Sequence, residues 1–147
     1  MAELGNTQGD RPIKFTLTHY RKPEHTHEAF IDWIVNWHLP RALPIFKKHG
    51  ILEYKIFTTP SDLNSGVKAM MIEKRPTWNF ADFDCFLEYK APNIEALTKV
   101  MSDPDWPAAL EQEEDWVDTS RSLVSIGYET PYLLGNGDIV NVPGISK

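Results

Sequence analysis

The stretch "IKFTLTHYRKPEHTHEAFIDWIVNWHLP", residues 13–40, changes its hydrophobic period part-way along, and that change decides the fold class. Residues 13–20 are β-branched and aromatic enough for a strand, with Ile13, Phe15, Leu17 and His19 on one face and Lys14, Thr16, Thr18 and Tyr20 on the other. "RKPEHTH" then supplies turn chemistry, with Thr26 placed as an N-cap. Phe30, Trp33, Ile34 and Trp37 recur at i, i+3, i+4 and i+7, which makes one apolar stripe on a helix over 27–38. Pro40 disfavours the α region at Leu39, so the helix is expected to end or kink there. His38 is then in the last turn, where free carbonyls favour an imidazolium. The Ile13 row matches the aromatic stripe better than its opposite face does, so His19 is expected to point toward Trp33, Trp37 and His38.

Beyond this unit, residues 41–48 read as a short helix ahead of a C-cap at Gly50, and 51–59 alternate as a second strand. Residues 61–82 mix turn residues with Leu63, Val67, Met70 and Met71 and resist assignment; they read as a lid-like excursion. A third strand is expected over 82–90. Ile94, Leu97, Thr98 and Met101 mark a helix, "DPDW" restarts it with Asp103 as cap and Pro104 as first residue, and 120–129 form a fourth strand. The order βαββαβ is that of a ferredoxin-like α+β fold, a four-stranded antiparallel sheet with helices on one face. The reading is a loose leader over 1–11, one domain over 12–130 and a C-terminal tail over 131–147. The open sheet face, with Thr16, Thr18, Phe86 and Leu123, is too mixed for a fully solvated surface. A second copy is expected to cover it, giving a homodimeric α+β barrel in which each subunit keeps a pocket between sheet and helices.

Composition narrows the function classes. A chain of 147 residues, 41% hydrophobic, fits one globular domain with a real core. A formal charge of −6 without a Lys/Arg-rich run argues against nucleic acid or an anionic membrane as partner. The single cysteine, Cys85, excludes an intramolecular disulfide framework, and "MAELGNTQGD" lacks the apolar core of a signal peptide. A reducing, cytoplasmic setting is expected, and no apolar run approaches membrane-spanning length.

"THYRKPEHTHEAFIDWIVNWHLPRA" (18–42) resembles the opening of EthD-domain proteins, with a strand, an "RKP" turn and a helix ending in a His-x-Pro-like pattern. "FADFDCFLEYKAPNIEALTKVMSDPDW" (80–106) and "EDWVDTSRSLVSIGYETPYLL" (114–134) resemble one branch of that family, small fungal decarboxylases of anthraquinone-type polyketide clusters, including the trypacidin pathway. The resemblance implies a dimeric ferredoxin-like fold and cofactor-independent removal of the carboxyl group from an atrochrysone carboxylic acid-like aromatic polyketide. It assigns no catalytic residues.

Those are argued from the chemistry. A β-keto acid, or an aromatic acid that reaches a keto tautomer, loses carbon dioxide when electrons flow into a carbonyl, so an acid is needed at that oxygen. Histidine suits the task near neutral pH. His38 is the expected proton donor and His19 the group that orients the substrate phenol or carboxylate. Phe15, Leu17, Tyr20, Phe30, Trp33, Trp37, Tyr54, Trp78, Trp106, Trp116 and Tyr128 are the candidate substrate walls. No thiamine, pyridoxal or flavin signature is present, so no cofactor is expected and the substrate's own carbonyl is the electron sink.

Each assignment has a plainer rival. His38 also reads as a helix-end residue and His19 as a satisfied core histidine. His25 and His27, with Glu24 and Glu28, suggest a metal cluster, but neighbours so close in sequence cannot all converge on one ion, and no metal is expected. Asp84 and Glu88 share a strand face at a spacing that suits paired-carboxylate catalysis, and read more plainly as interface or solvent-facing. Glu111, Glu113, Glu114 and Asp118 read as a solvated helix face, Cys85 as a buried inert thiol, and Lys68, Lys74 and Arg75 as loop cations that steer an acidic substrate or merely solvate. A dehydratase or cyclase on a similar polycycle, or a noncatalytic polyketide-binding accessory protein, remains open beside the decarboxylase.

Overall fold

A computed structural model describes residues 11–145; of the expected leader, residues 1–10 lie outside the described residues. Four strands, β1 (Ile13–His19), β2 (Glu53–Thr58), β3 (Cys85–Ala91) and β4 (Val124–Gly127), form one antiparallel sheet in the order β2-β3-β1-β4. Phe15 lies opposite Tyr89 on one side and Ile126 on the other, and Tyr54 lies opposite Tyr89 in turn, so one face carries the apolar rows. The expected ferredoxin-like arrangement is the observed one.

The helix after β1 departs from the sequence reading. Helix α1 (His27–Trp33) starts at Thr26, whose hydroxyl accepts the Ala29 N–H. It passes through a π-helical turn at Ile34–His38 and continues as α2 (Leu39–Lys48). Pro40 does not end the helix. The wide turn lets the Leu39 N–H reach back to the Ile34 carbonyl, and Pro40 then occupies the first turn of α2, where a missing N–H costs least. His38 is therefore mid-run rather than at a helix C-terminus, and the dipole argument for its charge falls with that position. The run ends at His49 and Gly50, whose φ of +79° is the left-handed conformation glycine adopts freely.

Segment 61–82 is better ordered than its composition suggests, since Ser61–Met71 form helix α3. None of its residues is buried. Helix α4 (Ile94–Met101) is capped by Asn93, and two short turns, α5 (Trp106–Ala109) and α6 (Glu113–Trp116), cover the far side of the core. Asp103 is not the cap of α5: its Oδ1 accepts the Asp105 N–H, its Oδ2 meets Lys48 and His49, and Pro107 rather than Pro104 lies in the first turn. It thus ties the end of α2 to the α4–α5 connection. Strands three and four are shorter than expected. Asp84 leaves the ladder to bind its own partners, and Asp118 starts a 3-10 turn at Thr119–Arg121 before β4.

Phe30, Ile34, Phe46, Leu87 and Val117 are almost free of solvent at the centre of the sheet–helix core, burial worth roughly 1.5–3 kcal/mol per large side chain. The opposite sheet face is partly exposed among the described residues. Thr16, Glu88 and Lys55 form one row, Thr18, Phe86 and Phe57 the next, and Phe57 is 56% exposed. Among the described residues no helix is long and apolar enough to cross a membrane.

Candidate functional site

β1 delivers His19, and the π-helical turn delivers His38, to one seam between sheet and helices. The turn adds a residue to the helical repeat, which rotates His38 inward against α5. Its Nδ1 lies 2.9 Å from the Ala109 carbonyl. A carbonyl only accepts, so Nδ1 carries the proton and Nε2 keeps the lone pair. Burial holds His38 below the ordinary histidine pKa, the reverse of the sequence expectation. His19 is lowered further, to about 4, by burial first and by the neighbouring His38 second. Its Nδ1 is buried without a hydrogen-bond partner. The expected pocket is a packed seam, each imidazole being only 8% exposed.

Aromatic rings enclose the pair. Trp33 stacks on His38 at 5.8 Å and on Trp116 at 5.5 Å, and its indole N–H donates to Gln112 Oε1 at 3.0 Å. Trp106 lies edge-on to His38, and Phe30 edge-on to His19. Tyr54 packs among Phe46 and Tyr89, and its hydroxyl is a second buried group without a partner; burial raises its pKa well above the usual tyrosine value. Phe15, Leu17 and Trp37 complete the same cluster. On its outer side Trp33, Trp37 and Trp116 line a small groove of about 280 Å³.

Three of the expected wall residues lie elsewhere. Trp78 is 52% exposed under Arg75, Tyr20 lies beneath the Arg121 guanidinium, and Tyr128 packs under Arg11 beside Ile13, Ala91 and Ala96. Each follows a chain reversal or strand end that parity and composition do not locate. Glu113 is half-buried rather than solvated, and burial raises its carboxyl, aided by Glu114. Cys85 is the buried thiol expected of it, pushed up to about 12.

The sequence reading set Asp84 beside Glu88 as interface or solvent-facing; it is buried and paired elsewhere. Its carboxylate is buried and takes the Arg21 backbone N–H at 2.9 Å, the Arg21 guanidinium, and His27 Nδ1 at 2.9 Å. Burial alone would raise this carboxyl; those three contacts together hold it below the usual range. These residues line a cavity of about 640 Å³ with Thr59, Ser61, Asn64 and Lys68. The signal was available in part: Asp84 ends the alternation of β3, and an acid leaving a strand beside an Arg-containing turn is a candidate for pairing. Among the described residues no group of three or more His, Cys, Asp or Glu is placed to hold a metal ion.

A ferredoxin-like α+β protein with two histidines sealed between its sheet and its aromatic helix is the class that fold and seam define. The chain belongs to the EthD domain family, whose model matches residues 22–120. It is 34% identical to the dehydratase iacD of Pestalotiopsis fici over 89% of this chain and 94% of that protein. It is 29% identical to the decarboxylase nsrE of Aspergillus novofumigatus over 87% and 84% of the two chains. Among solved structures, an EthD family protein from Bacillus halodurans shares the fold, with a TM-score of 0.53 and 18% identity over 81% of this chain and 99% of that one.

Proposed function

We propose that this protein is a cofactor-independent lyase that decarboxylates an atrochrysone carboxylic acid-like aromatic polyketide at the His19–His38 seam. The observation that carries the reading is the fixed tautomer of His38 beside the unpartnered His19, both within an aromatic enclosure. The family membership and the decarboxylase among its relatives support it.

The proton arrives with the substrate. A neutral His38 takes the carboxylic acid proton on Nε2, and the resulting imidazolium and carboxylate neutralise each other in a medium that tolerates neither alone. The bond to the carboxyl carbon then breaks, and its electrons pass into the neighbouring carbonyl. That oxygen recovers the proton from Nε2 as carbon dioxide leaves, and His38 ends neutral, as it began. His19 stays neutral throughout, and its unpartnered Nδ1 supplies a hydrogen bond to a phenol or carboxylate. Trp33, Trp37 and Trp116 line the outer groove on which a flat polycycle would stack, and its carboxyl end reaches the pair when the seam opens.

Dehydration is the second reading, and one observation favours it. A neutral His38 with a free Nε2 is a base at rest, able to remove a proton α to a carbonyl so that a β-hydroxyl departs, and the relative iacD is named a dehydratase. Incubation of pure protein with a carboxylated anthrone precursor, followed by mass, separates the two. Loss of carbon dioxide is expected. Loss of water alone moves the protein to the second reading, and tight binding without turnover makes it an accessory binder.

The functional unit is proposed to be a homodimer joined through the partly exposed sheet face. Phe57 on that face, and Tyr132, Leu133 and Ile139 in an exposed tail, are exposed apolar surface in one chain. Light scattering at micromolar concentration checks this, and a monomer mass removes the barrel.

A further inference from the structure

A second set of acid–base groups lies outside the seam and takes no part in the chemistry above. We propose that the His27–Asp84 pair is a second acid–base centre, and that its ligand is a hydroxy acid anion, a phenolic or enolic carboxylate held in the cavity beneath α3. This proposal does not rest on the His19–His38 reading.

The pair has the geometry of an oriented base. Asp84 accepts the Arg21 backbone N–H through one oxygen, and the Arg21 guanidinium and His27 through the other. An ionised carboxylate only accepts, so His27 carries its proton on Nδ1 and its second nitrogen, Nε2, is the basic one. A carboxylate behind an imidazole fixes its tautomer and stabilises the imidazolium that forms when Nε2 takes a proton. Arg21 is itself immobilised, since its Nε donates to the His25 carbonyl at 2.8 Å. His27 and Asp84 line the cavity of about 640 Å³, a size ordinary for small-molecule sites, and neither His19 nor His38 lines it.

Lys68 gives the cavity one cation for a carboxylate, and the polar lining suits a ligand that also carries a hydroxyl. Arg21 and Asp84 satisfy each other, and Asp82 pairs with Arg121. Lys68 of α3 lines the same space with Glu28 opposite, and among the described residues Lys68 makes no ion pair. Ser61, Asn64 and Ser65 add hydrogen-bonding groups from α3, and Phe80 and Phe83 add apolar wall. A carboxylate meets Lys68, and a phenolic or enolic hydroxyl meets His27 Nε2. The hydroxyl proton passes to Nε2, the electron pair stays on oxygen, and the oxyanion faces the new imidazolium. Release reverses the step, and no other reactant enters.

The test is imidazole nitrogen NMR of the full chain titrated with 2-hydroxybenzoate, with benzoate as the control that lacks the hydroxyl. We expect a saturable shift of the His27 Nε2 resonance toward the imidazolium position with 2-hydroxybenzoate and a clearly smaller one with benzoate. Lys68→Ala, at an exposed position that should not disturb folding, should weaken binding about tenfold, the loss of one charge-assisted contact. His27→Gln should retain carboxylate binding and lose the difference between the two ligands. An unchanged affinity in Lys68→Ala, or a response confined to His19 and His38, overturns the proposal. Carbon dioxide release at the seam should be untouched by Lys68→Ala, so this proposal and the decarboxylase reading fail separately.

Discussion

The His19–His38 seam and the His27–Asp84 cavity place the same side chain in opposite surroundings. In the seam two imidazoles are buried together among tryptophans with no carboxylate in contact, so each is held neutral and Nδ1 of His19 goes unsatisfied. In the cavity a buried carboxylate, itself paired with Arg21, stands directly behind the imidazole and accepts from its Nδ1. Burial without a partner therefore makes a site that waits for the substrate to bring its proton. A buried carboxylate as partner makes one whose imidazole tautomer and orientation are fixed before any ligand arrives. On the proposals above, that difference gives the two sites different ligands, although His27 and His38 come from the same helical run.

The largest expected effect separates the seam's own two members. His38→Asn should lower the rate of carbon dioxide release by about a hundredfold to ten-thousandfold, the usual cost of removing a proton-transfer group. His19→Asn should cost less and show partly in KM. Both variants should remain folded. Near-normal turnover in His38→Asn returns His38 to a packing role and makes Tyr54, with its unpartnered hydroxyl, the next donor to test.

The seam was more legible than the cavity for a physical reason. Strand parity and the 3.6-residue stripe are local periodicities, and they placed Phe15, Leu17, His19, Phe30, Trp33, Trp37 and His38 in one cluster without knowledge of the rest of the chain. The charge of His38 was misread because it depended on where the helix ends. Pro40 signals a stop only when the turn before it has the ordinary width, and the π-helical turn removes that condition. The cavity needs two distant segments, the turn from Arg21 to His27 and the strand edge at Asp84, to meet, and no periodicity encodes that meeting. His27 was weighed only with its sequence neighbours, as a metal cluster that was set aside, and Asp84 with its strand neighbour Glu88, whereas the two pair with each other across 57 positions.

Next in size is acid stability, which the two sites should affect in different pH windows. His19 has a folded pKa of about 4 against 6.5 unfolded. Above pH 6.5 it is neutral in both states and costs nothing. As pH falls from 6.5 toward 4, the unfolded chain takes up a proton that the folded chain refuses, so stability drops by about 3 kcal/mol and then levels off. His38, lowered in the same direction, adds to that loss. Asp84 acts later. Its carboxyl is held below 3.8, so its contribution is complete above that value and disappears only as pH falls further. Urea unfolding across this range should show the first loss shrink to the part left by His38 in His19→Leu, and the second vanish in Asp84→Asn. A flat profile between pH 4 and 6.5 breaks the account of the seam.

At neutral pH the same Asp84→Asn variant should cost about 1–2 kcal/mol in urea unfolding. Removing one member of a fully buried ion pair costs more than this, but the Arg21 side chain is 38% exposed and water can take over its charge. His19→Leu should go the other way, because it removes a buried nitrogen with no partner and fills the space with hydrocarbon. Equal destabilisation by the two variants would erase the contrast between a satisfied and an unsatisfied polar site.

The smallest effect concerns α3, the roof of the cavity, and requires no mutation. Helix α3 has no buried residue, and Leu63, Val67 and Met70 are each about half exposed or more, at 67%, 49% and 60%. An isolated helix of eleven residues is marginal in water, so most of its stability must come from whatever it packs on. Hydrogen exchange should therefore run from fast in α3 to slow in α1 and α2, whose Phe30, Ile34 and Phe46 are sealed in the core. A ligand bridging Lys68 to His27 ties α3 to α1 and should slow exchange in α3 alone by a fewfold, in proportion to site occupancy. A ligand entering the seam should instead slow exchange near His38 and leave α3 unchanged. Strong protection of α3 without ligand would mean that something covers its apolar side, and the tail of a second copy would be the first candidate to examine by the same measurement at lower protein concentration.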